Sequence, residues 1–273
     1  MIGIITVNYN QYRQTDEFLK SFNLVKDADN AIIYLADLSS IKKPVETNGL
    51  RYKVIIEAKD NKGYAFGINC GLKYLLKMGF DKFCVVNNDI FFDKNFLIEV
   101  EKTFENCDIF GGKIYYATGF EYHKNRYHKK DLGKILWYAG GYFDWKNCFA
   151  YHRGVDEVDR GQYDKFEETE FITGCLFCFN KKLIKQVGRW DEGYFLYFED
   201  ADYCIRAKKK GFKLYYNPKI IIYHKNAQST GGSGSKTHQQ YQEKNRLIFG
   251  LKYAPLTTKF HLLKNYFLKK YGQ

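Results

Sequence analysis

The sequence predicts an α/β protein built on a mainly parallel, twisted central sheet with flanking helices. Three observations carry that reading. Over the first hundred residues, short apolar runs alternate with stretches of helical apolar spacing, the pattern of strand–helix–strand units. One of those runs stops abruptly at Asn87-Asn88-Asp89, and in open α/β sheets ligands bind at strand ends. Further along, the segment FLYFEDADY sets Glu199, Asp200 and Asp202 among Phe195, Tyr197, Phe198 and Tyr203.

Taken in order, residues 2–7 read as a strand, and 14–25 as a helix with Thr15 and Asp16 near its start. Residues 31–35 form a second strand, ending at Asp37-Leu38-Ser39-Ser40, and 52–56 a third. Helical spacing of Ile68, Leu72, Leu75 and Leu76 predicts a helix over 66–78, closed by Gly79. Residues 82–86 are a fourth strand and 96–104 a helix. From 110 to about 170 the pattern weakens, and glycines and charged stretches suggest loops and short strands. A strand resumes over 171–179, and a short helix follows at 181–187. ADYCIRAKKKG reads as a helix with acids in its first turn and bases in its last, closing at Gly211. Strands at 213–216 and 219–223 flank an Asn217-Pro218 turn, and the low-complexity stretch 226–237 reads as a mobile loop.

At 273 residues the chain can bury a full core. With 24 Tyr, 23 Phe and only three Pro, it is not a disordered or linker protein. No apolar run approaches the ~18 residues of a membrane span, and the start lacks a signal-peptide pattern. Seven Cys, an odd count without paired close spacing apart from Cys175 and Cys178, point to a reducing compartment.

The net charge of +12 is concentrated near the end. Residues 244–270 hold seven Lys or Arg and no acid, interleaved with large apolar residues. Such a tail, set apart here as 244–273, suits an anionic membrane surface or a pair of helices packed on the domain with their lysines in water. No nucleic-acid module is recognisable.

Asp89 at a strand end is a candidate ligand for a divalent cation carrying a diphosphate, or else part of a polar turn. Asp200, wedged against aromatic rings, is a candidate general base; acids there also suit a helix N-terminus.

Several motifs occur in order: ITVNYN at 5–10, ADLSS at 36–40, NKGYAFGINCG at 61–71, VVNNDIFF at 85–92, the long run TGCLFCFN…LYYNP at 173–218 and IIYHK at 221–225. Together they resemble the inverting glycosyltransferases of family 2, and within them the rhamnosyltransferase-like bacterial branch. The resemblance implies a GT-A fold, with a Rossmann-like nucleotide-sugar half at 1–110 and an acceptor half at 111–243. It places Thr6, Asn8, Asp37, Asn61, Gly63, Asn69 and Asn88 at the nucleotide, and Asp89 with His224 at a Mg²⁺ or Mn²⁺ ion. Asn87 and Asn88 stand where other members carry Asp. It makes Asp200 the catalytic base, and puts Gly174, Trp190, Asp191 and Glu199 around donor sugar and acceptor; Trp190 as plain core is an equal alternative.

The implied donor is dTDP-rhamnose, with UDP-sugars second. The implied acceptor is a bacterial surface glycan or lipid-linked sugar, reached in the cytoplasm or at the inner face of the plasma membrane. A sugar-nucleotide pyrophosphorylase is the alternative enzyme, but TVNYNQYRQ lacks its glycine-rich loop. A non-catalytic carbohydrate-binding protein of the same fold is the other alternative.

Overall fold

The computed structural model describes residues 1–226 and 235–271; most of the low-complexity stretch 226–237 lies outside them. The first half follows the expected alternation. β1 (Ile2–Asn8) leads through α1 (Tyr12–Phe22) to β2 (Ala31–Asp37) and β3 (Lys53–Ala58), and then through α2 (Tyr64–Lys77) to β4 (Lys82–Val86). β1 and β2 are buried along their whole length, which is why they read as continuous apolar runs rather than alternating ones. β1 pairs in parallel with both β2 and β4, and β2 with β3.

β5 (Ile90–Phe92) and α3 (Phe96–Phe104) precede β6 (Ile109–Tyr116), a long inner strand where the sequence suggested loops. Its pattern was obscured by Gly111 and Gly112, and the structure explains both. A Cβ on Gly111 would lie 2.8 Å from the Ile172 side chain, and one on Gly112 2.4 Å from the Ile220 carbonyl oxygen.

The second half adds β7 (Leu136–Tyr138), the hairpin of β8 (Gly141–Asp144) and β9 (Phe149–His152), and the short β10 (Glu167–Glu168). β11 (Leu176–Asn180) and α4 (Lys181–Val187) follow, then α5 (Glu199–Lys209) and β12 (Tyr215–His224). Sheet order is β10-β12-β6-β11-β4-β1-β2-β3, with β5 added on β12 and β7 on β6. β11 enters antiparallel between β4 and β6, whereas β6 and β12 run parallel.

Two expected boundaries shift. The strand expected over 171–179 begins only at Leu176, because the residues before it turn to form the wall of a cavity. The two strands expected around Asn217-Pro218 are one strand with a register shift between Asn217 and Ile221. Such a bulge is where an inner strand tolerates the missing N–H of proline.

The C-terminal segment also differs. α6 (Lys236–Tyr253) begins before the expected boundary at 244, and Phe249 and Asn245 are buried against the domain. α7 (Leu256–Tyr271) packs on it. Tyr253 donates to the fully buried Asp202 of α5 at 2.7 Å, and Arg206 donates to the same carboxylate at 2.6 Å. α6 is therefore part of the domain, not an appendage. All seven cysteines are free thiols, with Cys84 and Cys178 facing each other across β4 and β11.

Because the added methyl of Gly112→Ala would meet backbone rather than a movable side chain, we expect this substitution to destabilise the fold by about 1–3 kcal/mol. Chemical denaturation checks it, and an unchanged midpoint would show that β6 and β12 are not so closely apposed.

Candidate active site

A cavity of about 720 Å³ opens where β1 and β4 end, beside the N-terminus of α5. That volume suits a small-molecule ligand of nucleotide size. Its lining comes from both halves of the chain: Asn61, Gly63, Tyr64, Asn87, Asn88 and Asp89 from the first, and Trp137, Phe149, His152, Thr173, Gly174, Glu199 and Asp200 from the second.

Asp89 emerges where β4 has stopped and before β5 begins. β12 pairs antiparallel with β5 and sets His224 opposite Ile90. His224 Nε2 and Asp89 Oδ1 thereby approach to 3.2 Å, both side chains almost wholly buried. Neither Asp89 Oδ1 nor His224 Nδ1 has a hydrogen-bond partner among the described residues. Burial alone would raise the Asp89 carboxyl, but His224 and Lys225 outweigh it and hold it below the usual carboxylate range. Trp137 packs edge-on against the His224 ring at 4.4 Å and fixes its orientation.

These residues fit a divalent cation. Two ligands each about 2.1 Å from a metal and at right angles are about 3.0 Å apart, close to the separation seen. Among the described residues no group of three or more His, Cys, Asp and Glu is placed to hold a metal. The remaining positions would therefore fall to diphosphate and water oxygens, the usual arrangement for Mg²⁺.

Asp200 stands at the start of α5 with both oxygens held by backbone: Oδ2 accepts from Gly174 N at 2.8 Å and Oδ1 from Ala201 N at 2.8 Å. Burial nevertheless raises its pKa. Neighbouring Glu199 is pushed well above the carboxylate range by burial and by the Asp200 charge, and its Oε2 has no hydrogen-bond partner among the described residues. Two buried acids side by side cannot both ionise cheaply, so their proton affinities separate.

The turn leading into them is unusual. Tyr197 and Phe198 both have left-handed backbones, with φ of 69° and 72°, a conformation that costs non-glycine residues energy. Three contacts hold it or its approach. Asn245 of α6 donates to the carbonyls of Leu196 and Tyr197 at 2.7 and 3.0 Å. Tyr64 N donates to Phe195 O at 2.9 Å. Gly63, with φ of 101°, lets the backbones meet, since a Cβ there would lie 2.4 Å from Phe195 O.

Asn61, Gly63, Asn88, Asp89, Gly174, Glu199, Asp200 and His224, all singled out from sequence, line this one cavity. Six others do not. Thr6 is fully buried in β1, and Asn8 donates to Asp37 and Ser39. Asp37 already accepts from Asn8, Ser39 N and Tyr12 and is 3% exposed, which leaves about one acceptor position for a base. Asn69 is turned to the opposite side, where it binds the backbone of Trp190 and the side chain of Glu192. Trp190 stacks on Tyr203 inside the core, and Asp191 pairs with Lys252. The last three lie away from the cavity because the chain between α4 and α5 packs over α2 before turning in. Asn88 reaches the cavity, but its amide is spent on Thr15 and Asn8.

The sequence reading missed Tyr64, Trp137, His152 and the α6 residues His238, Tyr241 and Gln242, which also line the cavity. Tyr64 binds Asn87 at 2.9 Å and Gly174 O at 3.1 Å, joining the two walls. It sat in plain view inside NKGYAFG. His152 is kept neutral, its pKa lowered to about 4 by burial.

Residues 67–250 match the family described as glycosyltransferase like family 2, more than half of the chain. The chain belongs to glycosyltransferase family 2. This glycosyltransferase domain is 18% identical over 216 residues to the low-salt glycan biosynthesis hexosyltransferase Agl10 of Haloferax volcanii, covering 78% of the chain and 63% of that protein. It is 33% identical over 79 residues to the N-acetylglucosaminyl-diphospho-decaprenol L-rhamnosyltransferase of Mycobacterium tuberculosis, covering 29% of the chain and 25% of that protein. The chain thus spans less than two thirds of the length of these relatives.

Among solved structures, GalNAc-T7 with UDP, GalNAc and Mn²⁺ superposes with a TM-score of 0.62 at 15% identity, over 89% of this chain and 47% of that one. The mannosyltransferase PcManGT of Pyrobaculum calidifontis, with GDP-Man and Mn²⁺, gives 0.52 at 12% identity over 98% and 69%. At these identities the likeness is one of fold, and the fold is GT-A.

Two outcomes follow from this geometry. Asp89→Ala or His224→Ala should weaken Mn²⁺-dependent nucleotide diphosphate binding about 10-fold or more, read by calorimetry; affinities indifferent to both changes would remove the metal assignment. Glu199 has a folded-state pKa above its unfolded one, so the folded state binds its proton more tightly. Its contribution is full below the unfolded pKa and is lost as pH rises through the folded one. Glu199→Gln should therefore melt higher than the parent at alkaline pH, with the difference vanishing below about pH 4.

Proposed function

We propose that this domain is an inverting, metal-dependent glycosyltransferase that moves a sugar from a pyrimidine nucleotide diphospho-sugar to a glycan hydroxyl. The observation that carries the reading is that Asp200 and the Asp89–His224 pair line one cavity. A base for the acceptor and a holder for the leaving diphosphate thus face one cavity.

In this reading the acceptor hydroxyl lies against Asp200. The carboxylate takes its proton as the oxygen bonds to the anomeric carbon, and the bond from that carbon to the diphosphate breaks. A single displacement of this kind inverts the anomeric centre. A cation held by Asp89 and His224 would supply charge stabilisation to the diphosphate. The N–H groups of Gly174 and Ala201 fix the carboxylate's orientation, while burial raises its proton affinity toward that useful for a base. Trp137, Phe149 and Phe171 of the cavity lining give apolar faces on which a sugar ring can stack.

The ordered motifs and the mycobacterial relative favour dTDP-rhamnose as donor, with UDP-sugars second. A surface glycan or lipid-linked sugar is the acceptor this reading favours, with the work done at the cytoplasmic face of the membrane.

Asp200→Asn should retain donor binding and lose transfer by ~10²-fold or more. Parent activity should rise with pH through an inflection above that of an unperturbed aspartate, because the base must be ionised and burial raises its pKa. A panel of dTDP- and UDP-sugars, assayed with and without Mn²⁺ and with NMR of the product anomer, is the measurement. Near-normal turnover of the variant, or a product that retains configuration, would sink the proposal.

A further inference from the structure

α7 presents two apolar faces on opposite sides. One is turned inward: Leu262 and Thr258 are buried, and Leu262 meets Gly250 of α6 and the Cys148 region of the β8–β9 hairpin. A Cβ on Gly250 would lie 2.2 Å from Leu262 Cδ1, so this glycine is what lets the two helices close. The other face is turned outward. Leu256, Phe260, Leu263 and Phe267 follow one another at spacings of four, three and four, one stripe of a helix. Leu256 is 73% exposed and Phe260 72%.

Among the described residues nothing covers Leu256 or Phe260 on that stripe. The charges beside it indicate what covers it. At 100° per residue, Lys259 and Lys264 fall on opposite flanks of the stripe, and neither is ion-paired among the described residues. No acid occurs between Lys244 and Lys270. An apolar ridge about 16 Å long, bordered on both sides by lysines, has the form of a helix lying in an anionic bilayer interface. A second protein surface would need a matching groove lined with acids, and a second copy of this face would set lysines against lysines.

We infer that α7 docks this domain on an anionic lipid surface through Leu256, Phe260 and their flanking lysines. The inner face of α7 rests on the β8–β9 hairpin, and Phe149, Ala150 and His152 of that hairpin line the cavity. The docked helix therefore sets the aromatic side of the cavity next to the membrane. That places a sugar carried on a lipid within reach, a consequence that rests on the glycosyltransferase reading; the docking itself does not.

The test is sedimentation with vesicles of phosphatidylcholine alone or mixed with phosphatidylglycerol, using the whole chain. The parent should sediment with the mixed vesicles only, and less as salt rises. Leu256→Gln with Phe260→Gln should weaken this on the order of tenfold or more, and Lys259→Glu with Lys264→Glu should abolish the preference for anionic lipid. Both pairs are on the surface, so donor hydrolysis and melting temperature should stay at parent values; that readout separates a failure of docking from a failure of the enzymatic reading. Indifference of the parent to anionic vesicles at low salt would overturn the inference. So would a parent dimer in sedimentation equilibrium that the Leu256/Phe260 variant dissociates, since a second copy would then cover the stripe.

Discussion

The bend at Tyr197–Phe198 is the constraint on which the site depends. Two successive residues in the left-handed region start α5 and bring Glu199 and Asp200 to the cavity wall. Nothing local favours that conformation, for neither residue is glycine and Phe198 makes no side-chain cap. It is held from outside by Gly63 and Tyr64 at the start of α2 and by Asn245 from α6. Strain of this sort persists only where surroundings over-determine it. Here the surroundings come from parts of the chain far apart in sequence.

The same logic links the two chemical ends of the cavity. Asp89 is placed by the end of β4, and His224 by the pairing of β12 with β5. Gly174, whose N–H holds Asp200, is also tied through its carbonyl to Tyr64, and Tyr64 to Asn87. The strand-end amide motif and the acidic turn are thus three hydrogen bonds apart, through Gly174 and Tyr64. A shift of either would be felt by the other, because the Gly174 backbone and the Tyr64 side chain between them are hydrogen-bonded in a close-packed wall.

Much of this was legible in the amino-acid sequence. Strand–helix alternation is written by buried parallel strands, and an apolar run that stops at Asp89 or a turn crowded with aromatics marks a site by composition alone. β6 was not legible, since its glycines answer to the Ile220 carbonyl and the Ile172 side chain, which are remote in sequence. Trp137 and His152 come from a region of short strands without periodicity, where nothing local points inward. Asn69 and Trp190 were placed at the site by family position alone; in the fold the Asn69 amide binds the Trp190 backbone and Trp190 lies in the core, the alternative left open for it. α6 was cut at the wrong place because its early turns are polar; they face the cavity and solvent rather than a core.

The unequal attachment of the last two helices divides the chain into parts of different engineering value. α6 reaches the acidic turn through Asn245 and α5 through Tyr253, so any chimera or shortened form that replaces it replaces part of the cavity wall. α7 meets the rest through Leu262 and its neighbours. It can be exchanged as a cassette, and a graft of the same inner face with a different outer face would readdress the enzyme without redesigning it.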